Sequence, residues 1–162
     1  MQVQLTQKET LLLNDMENYE KLCVQKSGRY AQEAQDPTLR QILQDLNQRE
    51  QQHLQTIQQL ISGQVPNMNQ GGQGQSNLIN QLQQTIQANQ GQQSQQGNPS
   101  DSFMCNDFLS YEKHASHVYD TAIFEFQDTN LREALNHIQK EEQEHGDILF
   151  KYMQANGMYK VQ

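Results

Sequence analysis

Two short motifs of metal-ligand type recur in the chain at a fixed spacing. Each motif is a glutamate followed three residues later by a histidine, and another glutamate lies 30 residues upstream of each motif. The six residues are Glu20, Glu50 and His53 in the first copy and Glu112, Glu142 and His145 in the second. One Glu on a first helix and Glu-x-x-His on a second is the ligand set of carboxylate-bridged two-metal bundles. The spacing therefore predicts a site for two metal ions.

The motifs belong to a longer internal repeat. Residues 14–57 align with residues 106–149 at a constant offset of 92 without a gap, and 14 of the 44 aligned positions are identical. Asn-Asp, Tyr-Glu-Lys and Leu-Arg segments occur in both copies. A single Glu-x-x-His is a weak signal, but its duplication inside an ungapped repeat is far more specific.

Apolar residues at alternating spacings of three and four predict four helices. Asp36 and Asp128 are the expected N-caps of the second and fourth helices, and Gly63 and Gly157 are the expected stops. The predicted helices cover about 6–34, 37–61, 102–127 and 129–155.

Residues 63–100 form a tract rich in Gln, Asn, Gly and Ser, in which Gly-Gly at 71–72 and the run from Gln90 to Gly97 cannot bury a core. Leu78, Ile79, Leu82 and Ile86 have helical spacing within it, which is compatible with a short amphipathic helix over 76–90 that lies across the bundle. A weak, transient helix is the alternative. The tract is interpreted as a connector, and a role in self-association is the second interpretation.

The order of these elements predicts an all-α, ferritin-like antiparallel four-helix bundle. Tight turns make each pair of helices an antiparallel hairpin, and one long crossover between the second and third helices is typical of ferritin-like topology. The expected layout is one bundle domain. Its parts are a first hairpin (1–62), a crossover linker (63–100), a second hairpin (101–155) and a C-terminal tail (156–162).

The six candidate ligands are expected to lie at one height in this bundle. Glu20 is 16 residues before Asp36, whereas Glu50 and His53 are 14 and 17 residues after it. At about 1.5 Å per helical residue, all three lie roughly 21–26 Å from the turn. The second copy repeats these spacings, and in all four helices the candidates interrupt the apolar face. The spacing predicts a symmetric layer with no further inward acid.

Four carboxylates buried together require compensation. They must be neutralised by cations or be protonated, because an isolated buried charge is strongly unfavourable. Two divalent ions would neutralise four carboxylates, and ligation by Glu and His suits iron or manganese, with zinc possible. The alternative is a hydrogen-bonded polar layer that persists without metal.

Composition excludes several other classes of function. The net charge is -8 and no basic patch is visible, which argues against nucleic-acid binding. No apolar stretch is long enough to span a membrane, and no basic segment followed by an apolar run marks a secretory signal. Cys23 and Cys105 fall on apolar faces and are expected to be small buried thiols in a reducing compartment. The chain is therefore expected to be synthesised inside the cell.

Other polar residues are weaker candidates. Tyr19 and Tyr111 adjoin the upstream glutamates and could donate hydrogen bonds to the site, although packing between helices is the favoured interpretation. His114, His117 and His137 have no counterpart in the other copy and are expected to face solvent.

The sequence resembles the Coat F family of spore coat proteins. The resemblance is clearest in Leu-Leu-Asn-Asp at 12–15, in Tyr-Glu-Lys at 19–21 and 111–113, and in the ending from Ile148 to Val161. It implies a ferritin-like fold and a protein made in the mother cell and deposited in the spore coat. The ligand pattern is also similar to that of rubrerythrins and manganese catalases.

Two functions from different classes follow. The first is a structural coat component that retains a two-metal centre and contacts other coat proteins or a second copy of itself. The second is a di-iron or di-manganese oxidoreductase with peroxidase, catalase-like or ferroxidase activity. Passive metal storage is a weaker third hypothesis.

Overall fold

Four long helices make up most of the part of the chain that the structure, a computed structural model, describes. The described residues are 3–66, 80, 81, 83, 84, 86–88 and 97–159. The helices are α1 (Gln7–Glu33), α2 (Pro37–Ile61), α3 (Pro99–Ile123) and α4 (Thr129–Ala155). They pack as two hairpins, α1 with α2 and α3 with α4. The predicted all-α bundle of two hairpins is confirmed.

Side-chain caps define where the helices begin. Asp36 accepts a hydrogen bond from the backbone of Thr38, and Asp128 caps α4 as predicted. The predicted start of α3 at 102 is wrong, because Asn98 caps this helix and Pro99 is its first residue. Asn-Pro supplies the same cap and preset first turn as the Asp-Pro pair at the start of α2.

Hydrogen bonds between the hairpins fix the direction of the helices. The backbone N–H of Gln35, at the turn of the first hairpin, donates to Asp101 at the start of α3 (2.9 Å). The backbone N–H of Gln127, at the turn of the second hairpin, donates to Glu9 at the start of α1 (3.0 Å). The two hairpins are therefore antiparallel to each other. The helix α2 begins at the end of the bundle where α3 also begins, so α2 ends at the opposite end. The connection from α2 to α3 therefore joins opposite ends of the bundle, as in ferritin-like topology.

These two contacts are copies of each other. Asp101 lies 92 residues after Glu9, and Gln127 lies 92 residues after Gln35, so the repeat extends beyond the 14–57 and 106–149 segments. Both acceptor carboxylates are buried. Each also satisfies a second backbone N–H, Asp101 that of Asp36 and Glu9 that of Thr6. We call this pair the reciprocal turn contacts.

The hydrophobic core is divided into two clusters. One lies toward the turn of the first hairpin and includes Leu39, Leu43, Phe108 and Leu149. The other lies toward the turn of the second hairpin and includes Leu13, Ile57, Leu131 and Leu135. The candidate ligands fall between these clusters in all four helices. The apolar ends therefore hold the backbones of the polar middle layer in place.

Part of the connection is also described. Residues 80, 81, 83, 84 and 86–88 are helical, and Ile86 is buried against the core cluster that contains Leu39. Leu78, Ile79 and Leu82, on which the predicted helix over 76–90 also depends, lie outside the described residues. None of the described helices is both long and apolar enough to cross a membrane.

Candidate metal centre

All six predicted ligands are buried in one layer. On α2 and α4 the Glu-x-x-His motif continues the apolar face that packs into the core, so both side chains of each motif point inward. On α1 and α3 one glutamate takes the corresponding inward position. The residues that meet there, each no more than 2% exposed, are Glu20, Glu50, His53, Glu112, Glu142 and His145.

The layer consists of two overlapping groups of four potential ligands. In each group, one ligand atom from every residue lies within 4.8 Å of the others. Glu50 and Glu142 belong to both groups. The first group is completed by Glu20 and His53, and the second by Glu112 and His145. Each group could hold one ion, and Glu50 and Glu142 are common to both groups.

The first group surrounds one nitrogen of His53. Its Nδ1 lies 3.0 Å from Oε1 of Glu142, 3.4 Å from Oε2 of Glu50 and 3.8 Å from Oε2 of Glu20. The acids come from three helices, with Glu50 one turn before His53 on α2. Three carboxylates therefore converge on a single imidazole nitrogen.

The second group repeats this arrangement around His145. Its Nδ1 lies 2.8 Å from Oε1 of Glu50, 3.7 Å from Oε2 of Glu142 and 4.0 Å from Oε1 of Glu112. The rings of His53 and His145 are nearly parallel, with centroids 5.5 Å apart. The pseudo-twofold relation of the repeats is thus preserved in the site.

Protein groups alone leave much of the layer without hydrogen bonds. Both carboxylate oxygens of Glu50 and Glu112, one oxygen each of Glu20 and Glu142, and both ring nitrogens of His145 lack an aligned partner. An unsatisfied buried polar group costs about 1–3 kcal/mol. Each orphaned atom is a carboxylate oxygen or an imidazole nitrogen, the donor types that bind iron, manganese and zinc. The residues present therefore fit two such ions.

The electrostatics of the metal-free layer favour bound protons. Burial, together with the charge of Glu142, raises the pKa of Glu20 and of Glu112 well above the usual range. Burial by itself lowers the pKa of His145, but the charges of Glu50 and Glu142 outweigh this effect and raise it to about 9. Contacts with acids likewise raise the pKa of His53 despite its burial. Without metal ions, protons on these glutamates and histidines offset the buried negative charge.

The expectation that no further acid points inward is wrong. Glu141 is 3% exposed, and its Oε2 lies 2.7 Å from Nε2 of His53. A carboxylate on the second nitrogen of a ligand histidine orients the ring and makes it more basic. The repeat does not indicate this residue, because its counterpart in the first copy is a residue of opposite charge, Arg49. The signal that could have found it is its placement one turn after Ile138 on the inward face.

Tyr119 is a second contact that the sequence analysis missed. Its hydroxyl is fully buried and donates a hydrogen bond to Oε1 of Glu20. Its counterpart in the first copy is Ser27, so the repeat does not mark it as part of the site. The link gives Glu20 a protein partner that Glu112 lacks.

The tyrosines that had been considered instead lie outside the layer. The hydroxyl of Tyr19 pairs with Nε2 of His114 at 2.5 Å, and its ring packs 5.9 Å from that of Tyr111. The Tyr111 hydroxyl is buried without a hydrogen-bond partner. Neither tyrosine makes a hydrogen bond to a candidate ligand. Their geometry therefore favours packing between α1 and α3.

Cys23 lies next to the layer, one turn after Glu20. Both Cys23 and Cys105 are buried free thiols, as predicted. Burial and the surrounding carboxylates raise the pKa of Cys23 well above its usual value. The neutral thiol is therefore a small apolar neighbour of the cluster, in the place that Ala115 occupies in the second copy.

Comparison with known proteins relates the second half of the chain to a family. Residues 100–162 match the family model of the Coat F domain. This span includes nearly all of α3, all of α4 and the C-terminal end, so it contains Glu112, Glu142 and His145. No curated protein and no solved structure matches the chain. The resemblance to the Coat F family predicted from the sequence is therefore confirmed for this span.

Proposed function

We propose that this protein is a component of the spore coat whose bundle core binds two divalent metal ions. The observation that carries the proposal is the pair of four-residue groups that share Glu50 and Glu142. Accidental acidic clusters lie on surfaces, whereas every member of these groups is buried. The Coat F domain at residues 100–162 supports the coat assignment, with synthesis in the mother cell.

The donor set assigns a role to each residue. Glu20 and His53 would hold one ion, Glu112 and His145 would hold the other, and Glu50 and Glu142 would contact both. Two divalent cations would balance the formal charge of these four carboxylates. Mixed carboxylate and imidazole ligation suits iron or manganese, with zinc possible. The metals would also satisfy the orphaned oxygens and nitrogens that the protein leaves unpaired.

The metal content of the purified protein tests this proposal. The protein would be produced without chelator beside the double variant Glu50→Gln, Glu142→Gln, which keeps the side-chain volume but removes both shared carboxylates. We expect about two ions per wild-type chain, and few or none in the variant. A wild type that is folded but still empty after challenge with iron, manganese and zinc would refute the proposal. It would leave a coat scaffold with a polar core layer.

Oxidoreductase activity is the second candidate function, favoured by a cavity that reaches the cluster. This cavity is lined by both Glu112 and Glu142, so a small molecule could approach the metal pair. Two iron or manganese ions held by these residues would supply redox chemistry, in which electrons taken from ferrous iron or from a second peroxide would pass to dioxygen or peroxide. Glu141 would hold the His53 ring in position. Peroxide consumption and ferrous oxidation by the loaded protein, compared with the double variant, test this candidate.

The coat role requires partners, which we propose to be other coat proteins or a second copy of the chain. Chemical crosslinking in intact spores, followed by mass spectrometry of this chain, would identify its neighbours. Crosslinks to other coat proteins or between two copies are expected. Recovery of the protein only from the mother-cell or spore-core fraction would contradict the coat role.

A further inference from the structure

A cavity of about 410 Å³ lies between α3 and α4 and leads from the surface to the buried layer. Its wall is mostly uncharged, with one lysine and three acids. The lining residues are Leu109, Glu112, Lys113, Ser116, Glu142, Gln143, Gly146, Asp147, Phe150 and Tyr159. The space is large enough for several water-sized molecules.

The inner end of the cavity meets two residues of the layer, Glu112 and Glu142, whose carboxylate oxygens lie behind its wall. Both oxygens of Glu112 and Oε2 of Glu142 are buried without a hydrogen bond. Glu142 belongs to both groups of potential ligands, whereas Glu112 belongs to the group of His145 alone. A molecule at the inner end would therefore meet one half of the proposed metal pair first.

Gly146 keeps this passage open. It lies in the interior of α4, where glycine destabilises a helix by about 1 kcal/mol relative to alanine. Its backbone does not need glycine, since Gly63 and Gly157 are the glycines with positive φ among the described residues. A Cβ atom here would lie 3.5 Å from Cδ1 of Leu109, an ordinary contact. A methyl group would thus fit, whereas a larger side chain would project into the cavity.

The first repeat has larger or paired side chains at the equivalent place. Leu54 stands where the second repeat has Gly146. Glu17, the counterpart of Leu109, pairs with Lys21 at 3.0 Å and accepts a hydrogen bond from Gln58 across the α1–α2 groove at 3.1 Å. Gln58 is itself the counterpart of Phe150. The same groove is therefore bridged in one hairpin and open in the other.

We propose that the α3–α4 cavity is the route by which small molecules of a few heavy atoms reach the cluster, from the side of Glu112 and His145 rather than through the α1–α2 groove. The inference rests on the proposed two-metal site and adds to it a direction of access. The chemical class is a small polar molecule, such as peroxide or azide, because the ligand oxygens behind the inner wall are buried and leave room for only a few atoms to approach them. Lys113 offers one positive charge in the passage, beside three acids.

Azide binding to the iron-loaded, oxidised protein tests this route. The variants are Gly146→Leu, which copies the first repeat, and Gly146→Ala as the matched control. Azide binding, followed by its visible charge-transfer absorption, should be unchanged in Gly146→Ala and at least tenfold slower or weaker in Gly146→Leu. Both variants should still hold two irons. Wild-type azide binding in a Gly146→Leu protein that retains both irons would overturn the inference.

A metal-free measurement separates failure of the route from failure of the metal site. Glu112→Cys and Glu20→Cys would each be made in a Cys23→Ala, Cys105→Ala background, and that background is the blank. The Glu112→Cys thiol should react with methyl methanethiosulfonate at least tenfold faster than the Glu20→Cys thiol. Adding Gly146→Leu should abolish the difference. Equal rates at the two positions would refute one-sided access, whether or not the wild type binds metal.

Discussion

Arg49 and Glu141 occupy equivalent positions in the two repeats, and both are buried, yet they carry opposite charges. Glu141 contacts Nε2 of His53, whereas Nε2 of His145 has no hydrogen-bond partner. The two halves of an otherwise symmetric layer are therefore unequal. One histidine is oriented by a carboxylate and the other is not.

This inequality predicts different metal affinities in the two halves. Glu141→Gln should weaken metal binding in the group that contains His53 by about 10–100-fold, because an outer carboxylate fixes the ligand ring and increases its basicity. The other ion should be retained. A metal titration that resolves two steps would measure both affinities. Glu144→Gln, at a partly exposed residue of the same helix, is the charge-matched control, and equal affinities in the two variants would contradict the prediction.

Removing Glu20 or Glu112 should each cost the protein one of its two metal ions. Glu20 belongs to one group and Glu112 to the other, while Glu50 belongs to both. We expect Glu20→Gln and Glu112→Gln to retain about one ion per chain each, and Glu50→Gln to lose both. Elemental analysis of the three purified variants would measure this. Identical metal contents in all three would argue against two groups with shared carboxylates.

The hydrogen bond from Tyr119 to Glu20 should stabilise both the metal-free and the metal-bound protein. Tyr119→Phe should lower the free energy of unfolding of the metal-free protein by about 1–2 kcal/mol, because a buried acceptor loses its donor. It should also weaken one metal site. Tyr152→Phe is the matched control, since the Tyr152 hydroxyl donates to Asp36 at 2.5 Å, away from the layer. It should reduce stability and leave metal affinity unchanged, and equal metal affinities in both variants would exclude a role for Tyr119.

The stability of the metal-free protein should fall as pH rises. The pKa of His145 is about 9 in the fold, against about 6.5 in an unfolded chain. The folded state therefore binds more protons in this interval, and its stabilisation is complete below pH 6.5 and lost as pH rises through 9. The raised pKa values of His53, Glu20 and Glu112 have the same sign. Urea unfolding with chelator at pH 6.5 and 9 should show a loss on the order of 3 kcal/mol.

Metal affinity should have the opposite pH dependence and rise as pH rises. The ligands must lose their protons to bind a cation, so metal affinity increases with pH and binding releases protons. Calorimetric titrations in two buffers of different ionisation enthalpy would count the protons. A metal-free protein that gains stability between pH 6.5 and 9, or metal binding without proton release, would contradict the assigned protonation states.

The reciprocal turn contacts should be important for stability. Asp101→Ala leaves the backbone N–H groups of Gln35 and Asp36 without their acceptor, which should cost roughly 2–4 kcal/mol. Glu9→Ala should have a similar effect at the other end of the bundle. Urea unfolding would measure both. Asp147→Ala, at an exposed ion pair, should change stability by less than about 0.5 kcal/mol, and a similarly small loss in Asp101→Ala would contradict the assignment.

Sequence periodicity predicted the bundle and the six inward residues because both depend on features that act along one helix. Leu46, Glu50 and His53 share one face of α2 wherever the helix packs. Because the offset between the repeats is constant, the equivalent residues of the second copy lie at the same distance from their own turn. The inner carboxylate Glu141 escaped prediction for the converse reason. The repeat paired it with Arg49, so its inward orientation was not considered.

Contacts between helices were harder to predict. The bond from Tyr119 to Glu20 depends on how far a long side chain reaches across the bundle, which no spacing within α3 specifies. The cavity depends on a side chain that is missing at Gly146, and a single helical glycine has no distinctive pattern. The early start of α3 at Pro99 was accessible from the sequence, because Asn98 and Pro99 repeat the Asp36-Pro37 signal.

The reciprocal turn contacts mean that neither hairpin is structurally self-sufficient. The hairpin within residues 100–162 needs Glu9 to satisfy its turn, and it contains only three of the six candidate ligands. A polypeptide with one such hairpin could complete the turn contact and the set of six ligands only by pairing with a second hairpin. The present chain is in effect a tethered dimer, in which the connection supplies the partner at a fixed effective concentration. Assembly of its core is therefore independent of protein concentration, unlike assembly from separate hairpins.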